Sequence, residues 1–265
     1  MSACAVTPPG EDRVGERFNN SNRGILVSAA SFEQELKVFG QGVHEATQVF
    51  YTYLTIHRLL EKHVEMVTLA NSHLLFIRTI LGSLRASTYV FIYKIFDKRD
   101  DSFSLTRLMR AARAEIEVFG PESFCARKLK NNFHNTPYWL KDSVEAMHVA
   151  TANDFDEVDA VGEKWRKLFN KKFRLHRNKW YGHREFSSDI EADAALPPID
   201  VQEVELLLAY LNNLDDELTQ LLHNGKKIDV AVLDDPSLDF LLSSSQARTT
   251  AAAKQFFAKL LGDIV

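Results

Sequence analysis

Apolar residues recur at helical spacing along most of the chain, and few stretches alternate as a strand would. Ser31, with Gln34 three residues later, predicts a capped helix start. The apolar positions that follow lie on one face of a long helix: Phe39, Val43, Ala46, Phe50, Leu54 and Leu60. Residues 72–96 predict a second long helix, whose broad apolar face suits the inside of a bundle.

Shorter elements are predicted in the middle of the chain. Ser104 predicts the start of a short helix that Gly120 and Pro121 end. One or two short helices are expected between residues 122 and 150. A further long helix is predicted to open at Asp154 and to run towards residue 181.

The C-terminal third continues the helical pattern. Asp200 and Glu203 have the spacing of a second capping box, ahead of leucines at helical spacing. Residues 228–233 are the one candidate strand, and residues 247–261 predict a last helix. The whole pattern predicts an all-α bundle of long antiparallel helices without repeats.

Domain boundaries follow from changes in composition. Residues 1–30 combine proline, glycine and charged residues, which predicts a flexible N-terminal arm. We expect the helical bundle over residues 31–225 and a C-terminal helical extension over residues 226–265.

Composition narrows the class of protein. The 265 residues are 45% apolar and 26% charged, with only 11 Gly and 7 Pro, which disfavours low-complexity disorder and turn-rich β-sandwiches. Two cysteines, Cys4 and Cys125, are too few for a disulfide framework. The longest apolar stretches, such as residues 89–93, fall short of the roughly 18 residues that indicate a membrane span. We therefore expect a cytoplasmic protein without a membrane partner.

Charge is concentrated in one segment. The chain carries −4 in total, but residues 163–184 hold nine basic residues and one acid, a net +8 that leaves −12 for the rest. Aromatic residues are interleaved with these charges at Trp165, Phe169, Phe173, Trp180 and Tyr181. Such a segment favours a polyanion partner. The alternative is that the aromatic residues face the core while the charges form a solvated face paired with acidic helices.

Most catalytic signatures are incomplete. His44-Glu45 lacks the second histidine of a zinc-protease helix, and the di-iron spacing of Glu145 and His148 occurs once where two copies are needed. We therefore predict no metal ion and no cofactor.

A weak pattern, an arginine followed by a histidine after four to six residues, is found three times. It occurs from Arg58 to His63, from Arg127 to His134, and from Arg177 to His183. Only the last lies in the basic segment, where Asn178 follows the arginine.

Two segments carry a family resemblance. Residues 174–184, RLHRNKWYGHR, resemble the signature of the HEPN superfamily of helical RNases, with Gly182 where a small residue such as alanine is expected. Residues 90–109, VFIYKIFDKRDDSFSLTRLM, resemble the abortive-infection (Abi) U-type branch, in which a long helix ends in Asp and a Ser-Leu-x-x-Leu helix follows. The resemblance covers about residues 40–225.

The resemblance implies a HEPN-like helical bundle that acts as a homodimeric, metal-independent endoribonuclease in antiphage abortive infection or a toxin–antitoxin system. Its catalytic residues would be Arg177, His183 and Asn178, and an antitoxin protein is a further expected partner. RNA would be bound by the basic residues around the motif: Lys171, Lys172, Arg174, Lys179 and Arg184.

Helix geometry adds a constraint to this site. Six positions along an ideal α-helix turn about 600°, so Arg177 and His183 point about 120° apart. Either the helix breaks near Gly182 or the two side chains meet across a dimer. The alternative function is a catalytically silent helical module that binds RNA or a partner protein, and a third is a helical scaffold without a nucleic-acid role.

Overall fold

The structure, a computed structural model, describes residues 31–99, 102, 104–130, 137–176, 200–238 and 245–261. These residues form ten α-helices and one turn of 3-10 helix, Ile116–Phe119. The α-helices are, in chain order, α1 Phe32–Lys62, α2 Val64–Ser72, α3 Leu74–Phe96, α4 Leu105–Ala114, α5 Pro121–Leu129, α6 Leu140–Ala146, α7 Ala152–His176, α8 Val201–Asn224, α9 Val230–Asp234 and α10 Ser245–Leu261. The described residues contain no strand, and the predicted all-α fold is confirmed. The predicted arm, residues 1–30, lies outside the described residues.

Three helices begin at the capping residues predicted from the sequence. Ser31 and Ser104 each accept a hydrogen bond at Oγ from the N–H three residues later, at 3.4 and 3.5 Å. Asp200 Oδ1 accepts from the N–H two residues later, at 3.0 Å. Its predicted capping-box partner, Glu203, pairs instead with Lys172 of α7. Such caps satisfy N–H groups that have no partner within the helix and are typically worth about 1 kcal/mol each.

The main hydrophobic core lies between the four longest helices and α4. Helix α1 packs against α3, α4 and α8, and α7 closes the core against α3 and α4. Helices α3 and α7 run antiparallel, since Phe96 stacks on Phe169 at 5.0 Å and Tyr89 contacts Phe173 at 6.1 Å. The C-terminal end of α7 therefore lies alongside the middle of α3.

Gly40 of α1 leaves space for the carboxylate of Asp215 on α8. A Cβ atom on Gly40 would lie 2.6 Å from the Asp215 carboxylate of α8, which is shorter than any ordinary contact. Glycine costs about 1 kcal/mol relative to alanine inside a helix. The contact with Asp215 accounts for its presence in α1.

Two sequence predictions differ from the structure. The candidate strand at residues 228–233 is wrong, because Val230–Asp234 forms helix α9 and Asp229 caps it by accepting a hydrogen bond from the N–H of Ala231 at 3.1 Å. Gly120 and Pro121 do not end the helix that Ser104 begins. Helix α4 ends at Ala114, and Pro121 occupies the first turn of α5, where its missing N–H costs nothing.

The N-terminal half of α3 has an exposed apolar surface. Leu74, Leu75 and Phe76 are 50%, 83% and 65% exposed, and Val64 at the start of α2 is 76% exposed. By length and composition alone, α3 could cross a membrane, which differs from the expectation that no apolar stretch is long enough. Of its most apolar 18 residues, 17% are buried. Core helices of water-soluble proteins meet the same criteria, so one such helix is weak evidence for a membrane span.

Candidate functional site

Helix α7 carries the first half of the basic segment, and its start is fixed by hydrogen bonds. Asp154 Oδ2 accepts from the N–H and the hydroxyl of Thr151 at 2.7 and 2.8 Å, and Oδ1 lies 3.1 Å from His148 Nε2. Burial acts to raise the pKa of Asp154, but the bonds from Thr151 and His148 outweigh it and hold that pKa below its ordinary value. His148, which has the sequence spacing of a di-iron ligand relative to Glu145, instead contacts Asp154 in the first turn of α7.

The described aromatic residues of the basic segment face the core. Trp165, Phe169 and Phe173 are all buried. Trp165 stacks on Tyr210 of α8 at 5.2 Å and donates from Nε1 to the carbonyl of Leu233 at 3.1 Å. The structure therefore favours the core alternative for these three, while Trp180 and Tyr181 lie outside the described residues.

Several of the basic side chains on α7 have acidic partners. Lys172 pairs with Glu203, Lys164 Nζ lies 2.8 Å from Asp234 Oδ1, and Arg166 pairs with Glu163 on the same helix at 2.5 Å. Lys167 and Lys171 are exposed and have no ion pair within the part of the chain that the structure describes. These two lysines are the described cations of α7 that remain open to a polyanion.

The predicted catalytic residues lie beyond the described end of α7. Arg177, Asn178 and His183, and the predicted RNA-binding residues Lys179 and Arg184, are outside the described residues. Arg174 is within α7, but its side chain is not described.

The sequence interpretation missed a second basic surface, a groove of about 570 Å³ between the turn after α3, helix α4 and the middle of α7. It is lined by Lys98, Arg110, Arg113 and Arg166 together with acidic residues. Arg113 pairs with carboxylates of α7, and Arg166 Nε is buried without a hydrogen-bond partner among the described residues. The three-residue spacing of Arg110 and Arg113 along α4 was the signal that could have indicated this surface.

Other residues with candidate chemistry have structural roles. Asp97 ends α3 and accepts hydrogen bonds from the N–H and Nε of Arg99 at 3.2 and 2.9 Å, as a residue of a polar turn would. His57 packs on the ring of Tyr53 at 4.5 Å, and burial lowers its pKa. Arg127, the start of one Arg-to-His spacing, donates to the carbonyls of Val118 and Leu222 at 2.7 Å each. No group of three or more potential metal ligands occurs among the described residues.

The amino-acid sequence that forms most of this helical bundle is matched by a protein-family model. The HEPN AbiU2 model, described as AbiU2, matches residues 31–240. The chain belongs to the AbiU2 family of HEPN proteins. No curated protein and no solved structure matches it.

Membership confirms the resemblance drawn from residues 90–109 and 174–184. AbiU2 is a branch of abortive-infection HEPN-like proteins, and the match begins at the Ser31 cap of α1. The matched range includes the Arg177 to His183 segment in sequence and ends at residue 240, before α10 begins. Helix α10 thus lies outside the matched range.

Proposed function

We propose that this AbiU2 protein is a metal-independent endoribonuclease that cleaves RNA with Arg177, Asn178 and His183 at a cleft between two protomers. The observation that carries the proposal is the family match, which extends through the segment RNKWYGH, residues 177–183. Helix α7 supports it, because that helix leads into this segment and holds Lys167 and Lys171 exposed just before it.

The residue types suit cleavage by the 2′-hydroxyl of RNA. This hydroxyl attacks the adjacent phosphorus, the bond to the 5′-oxygen breaks, and a 2′,3′-cyclic phosphate and a 5′-hydroxyl remain. The imidazole of an ordinary histidine titrates near neutral pH, so His183 is assigned as the base for the 2′-hydroxyl proton or as the acid for the leaving oxygen. Arg177 places a cationic fork on the non-bridging oxygens, and Asn178 orients either the phosphate or His183.

RNA binding is proposed to follow the exposed side of the basic segment. Lys171 is open to solvent, whereas Lys172 is engaged with Glu203, so Lys171 should contribute more to affinity. Arg174, Lys179 and Arg184 are proposed to extend the same surface. Each neutralised phosphate releases counterions, so affinity should fall steeply with added salt.

The dimer is proposed to form over the exposed apolar surface of α2 and α3. Because α3 and α7 are antiparallel, this surface lies at the end of the bundle towards which α7 leads. Exposed apolar side chains such as Leu75 and Phe76 favour contact with a second protein surface. A site shared by two protomers agrees with the 120° angle between Arg177 and His183 on an ideal helix.

In the cell, we propose that this nuclease acts in the cytoplasm in antiphage defence and that an antitoxin protein restrains it. The test of the chemistry is incubation of the purified protein with single-stranded RNA in excess chelator. Cleavage that persists and leaves 2′,3′-cyclic phosphate ends is the expected result. Chelator-sensitive cleavage would contradict the mechanism, and salt-dependent RNA binding without cleavage would favour the silent binding module.

A further inference from the structure

The groove of about 570 Å³ between α4 and α7 has two ends that differ in charge. The two helices run antiparallel along it. Arg166 Nη2 donates to Thr106 Oγ1 at 3.4 Å at one end, and Arg113 Nη2 donates to Asp159 Oδ2 at 2.5 Å at the other. These contacts define an Arg166 end and an Arg113 end of the groove.

Cations dominate the Arg166 end. Arg166 pairs with Glu163, and Lys98 adds a second cation, which is exposed and has no ion pair among the described residues. Lys98 belongs to this end because α3 ends at Phe96, and the Phe96 ring stacks on that of Phe169, about one turn along α7 from Arg166. This end therefore holds two cations and one carboxylate.

One donor at the Arg166 end lacks an acceptor. The Arg166 side chain is only 12% exposed, and its Nε is buried with no hydrogen-bond partner in the described part of the chain. A buried donor without an acceptor is unfavourable, and a charged donor is more so. A carboxylate brought to this end by a ligand would supply an acceptor to the guanidinium.

Carboxylates dominate the Arg113 end. Arg113 Nη2 donates to Asp156 Oδ1 at 2.9 Å as well as to Asp159, so one cation faces two carboxylates. The Asp156 side chain is 67% exposed and is open to a cation from outside. A ligand that is negative along its whole length, such as RNA, would be attracted at one end of the groove and repelled at the other.

The length of the groove suits a short extended peptide. Arg166 and Asp156 are ten positions apart on α7, which is about 15 Å along the helix axis. Residues four positions apart in an extended chain lie about 13 Å apart and on the same face. An acidic and a basic side chain at that spacing can therefore reach both ends.

We propose that the groove between α4 and α7 is a docking site for an extended segment of a partner protein that carries both acidic and basic residues. An acidic side chain of the segment binds at Lys98 and Arg166, and a basic side chain four positions away binds at Asp156. This surface is separate from the residues assigned to RNA cleavage and does not depend on that activity.

The test is calorimetric titration of the full-length protein at low salt with the acetylated and amidated peptide Glu-Glu-Gly-Ser-Lys-Lys, in which glutamates and lysines are four positions apart. Binding of this peptide is expected, and a second peptide with glutamine in place of both glutamates should bind about tenfold or more weakly. Lys98→Glu should also weaken binding of the first peptide about tenfold or more, because repulsion replaces a charge-assisted contact.

Asp156→Lys provides a second variant, from the opposite end. It should weaken binding of the first peptide several-fold, because the lysines of the peptide would then meet a cation. A polyanion would instead bind more tightly to this variant. Lys141→Glu, an exposed lysine of α6 outside the groove, is the matched control and should bind the peptide as the wild type does.

The inference is overturned if the wild type does not bind the first peptide at millimolar concentration, or if the two peptides bind equally well. It is also overturned if Lys98→Glu and Lys141→Glu bind the first peptide equally well. A nucleic-acid path replaces it if hexauridylate RNA displaces the peptide and binds more tightly to Asp156→Lys than to the wild type.

Discussion

Asp215 sets a pH dependence of stability that can be worked out from its surroundings. Its carboxylate lies against the backbone of Gly40, and Glu33, Lys37 and His223 line the same cavity. Burial, and secondarily the charge of Asp216, raise the pKa of Asp215 from 3.8 to about 6. The folded protein thus holds this proton more tightly than the unfolded chain does.

The direction and size of the effect follow from linkage. Because the pKa of Asp215 is raised in the folded state, binding of its proton adds to the free energy of unfolding. This contribution is fully present below pH 3.8 and is lost as the pH rises through about 6. One pKa unit corresponds to about 1.4 kcal/mol, so the loss is of the order of 3 kcal/mol by pH 8. Asp215→Asn, which stays neutral, should therefore stabilise the protein at pH 8 by up to this amount and change it little at pH 4.

Urea unfolding of the wild type and of Asp215→Asn at pH 4, 6 and 8 measures this difference. Asp142→Asn, an exposed aspartate on α6, is the control and should show no comparable trend. A difference between Asp215→Asn and the wild type that does not grow from pH 4 to pH 8 would refute the reasoning.

Three further predictions separate the two sides of α7 and test the dimer surface. Phe173→Ala should cost about 3–5 kcal/mol in urea unfolding, since its ring is fully buried, whereas Lys171→Ala should stay within about 0.5 kcal/mol. Lys171→Ala should weaken RNA binding and reduce the slope of log affinity against log salt concentration by about one. Lys172→Ala should have a smaller effect because Lys172 is paired with Glu203, and equal losses of affinity would contradict this. Leu75→Glu should convert a dimer to a monomer in light scattering, and an unchanged mass would place the interface elsewhere.

Local signals in the sequence were sufficient for much of the fold. Ser31, Ser104 and Asp200 mark helix starts because each supplies a side-chain acceptor to unpaired N–H groups. The helical spacing of Trp165 and Phe169 along α7 predicts that they lie on one face of the helix. The structure shows that this face is buried in the core.

Features that depend on distant parts of the chain could not be predicted in this way. The pairing of Lys172 with Glu203 joins α7 to α8, and the groove between α4 and α7 requires both Lys98 and Arg166, which are far apart in the sequence. The short apolar run at residues 228–233 fits either a strand or a helix, and the cap at Asp229 together with packing of Leu233 decides for a helix.

In the proposed mechanism, Arg177 of one protomer and His183 of the other form each cleavage site. The most direct test is a heterodimer of Arg177→Ala and His183→Ala protomers, co-expressed with two different affinity tags and purified through both. His44→Ala, an exposed histidine on α1, is the control for loss of a histidine and should cleave RNA as the wild type does.

Each homodimeric variant should lose a hundredfold or more of RNA cleavage. The heterodimer keeps one intact pairing of Arg177 with His183 and should recover about half of the wild-type rate. A heterodimer as inactive as the two parent variants would contradict the shared cleft, and full cleavage by His183→Ala would contradict the chemistry itself.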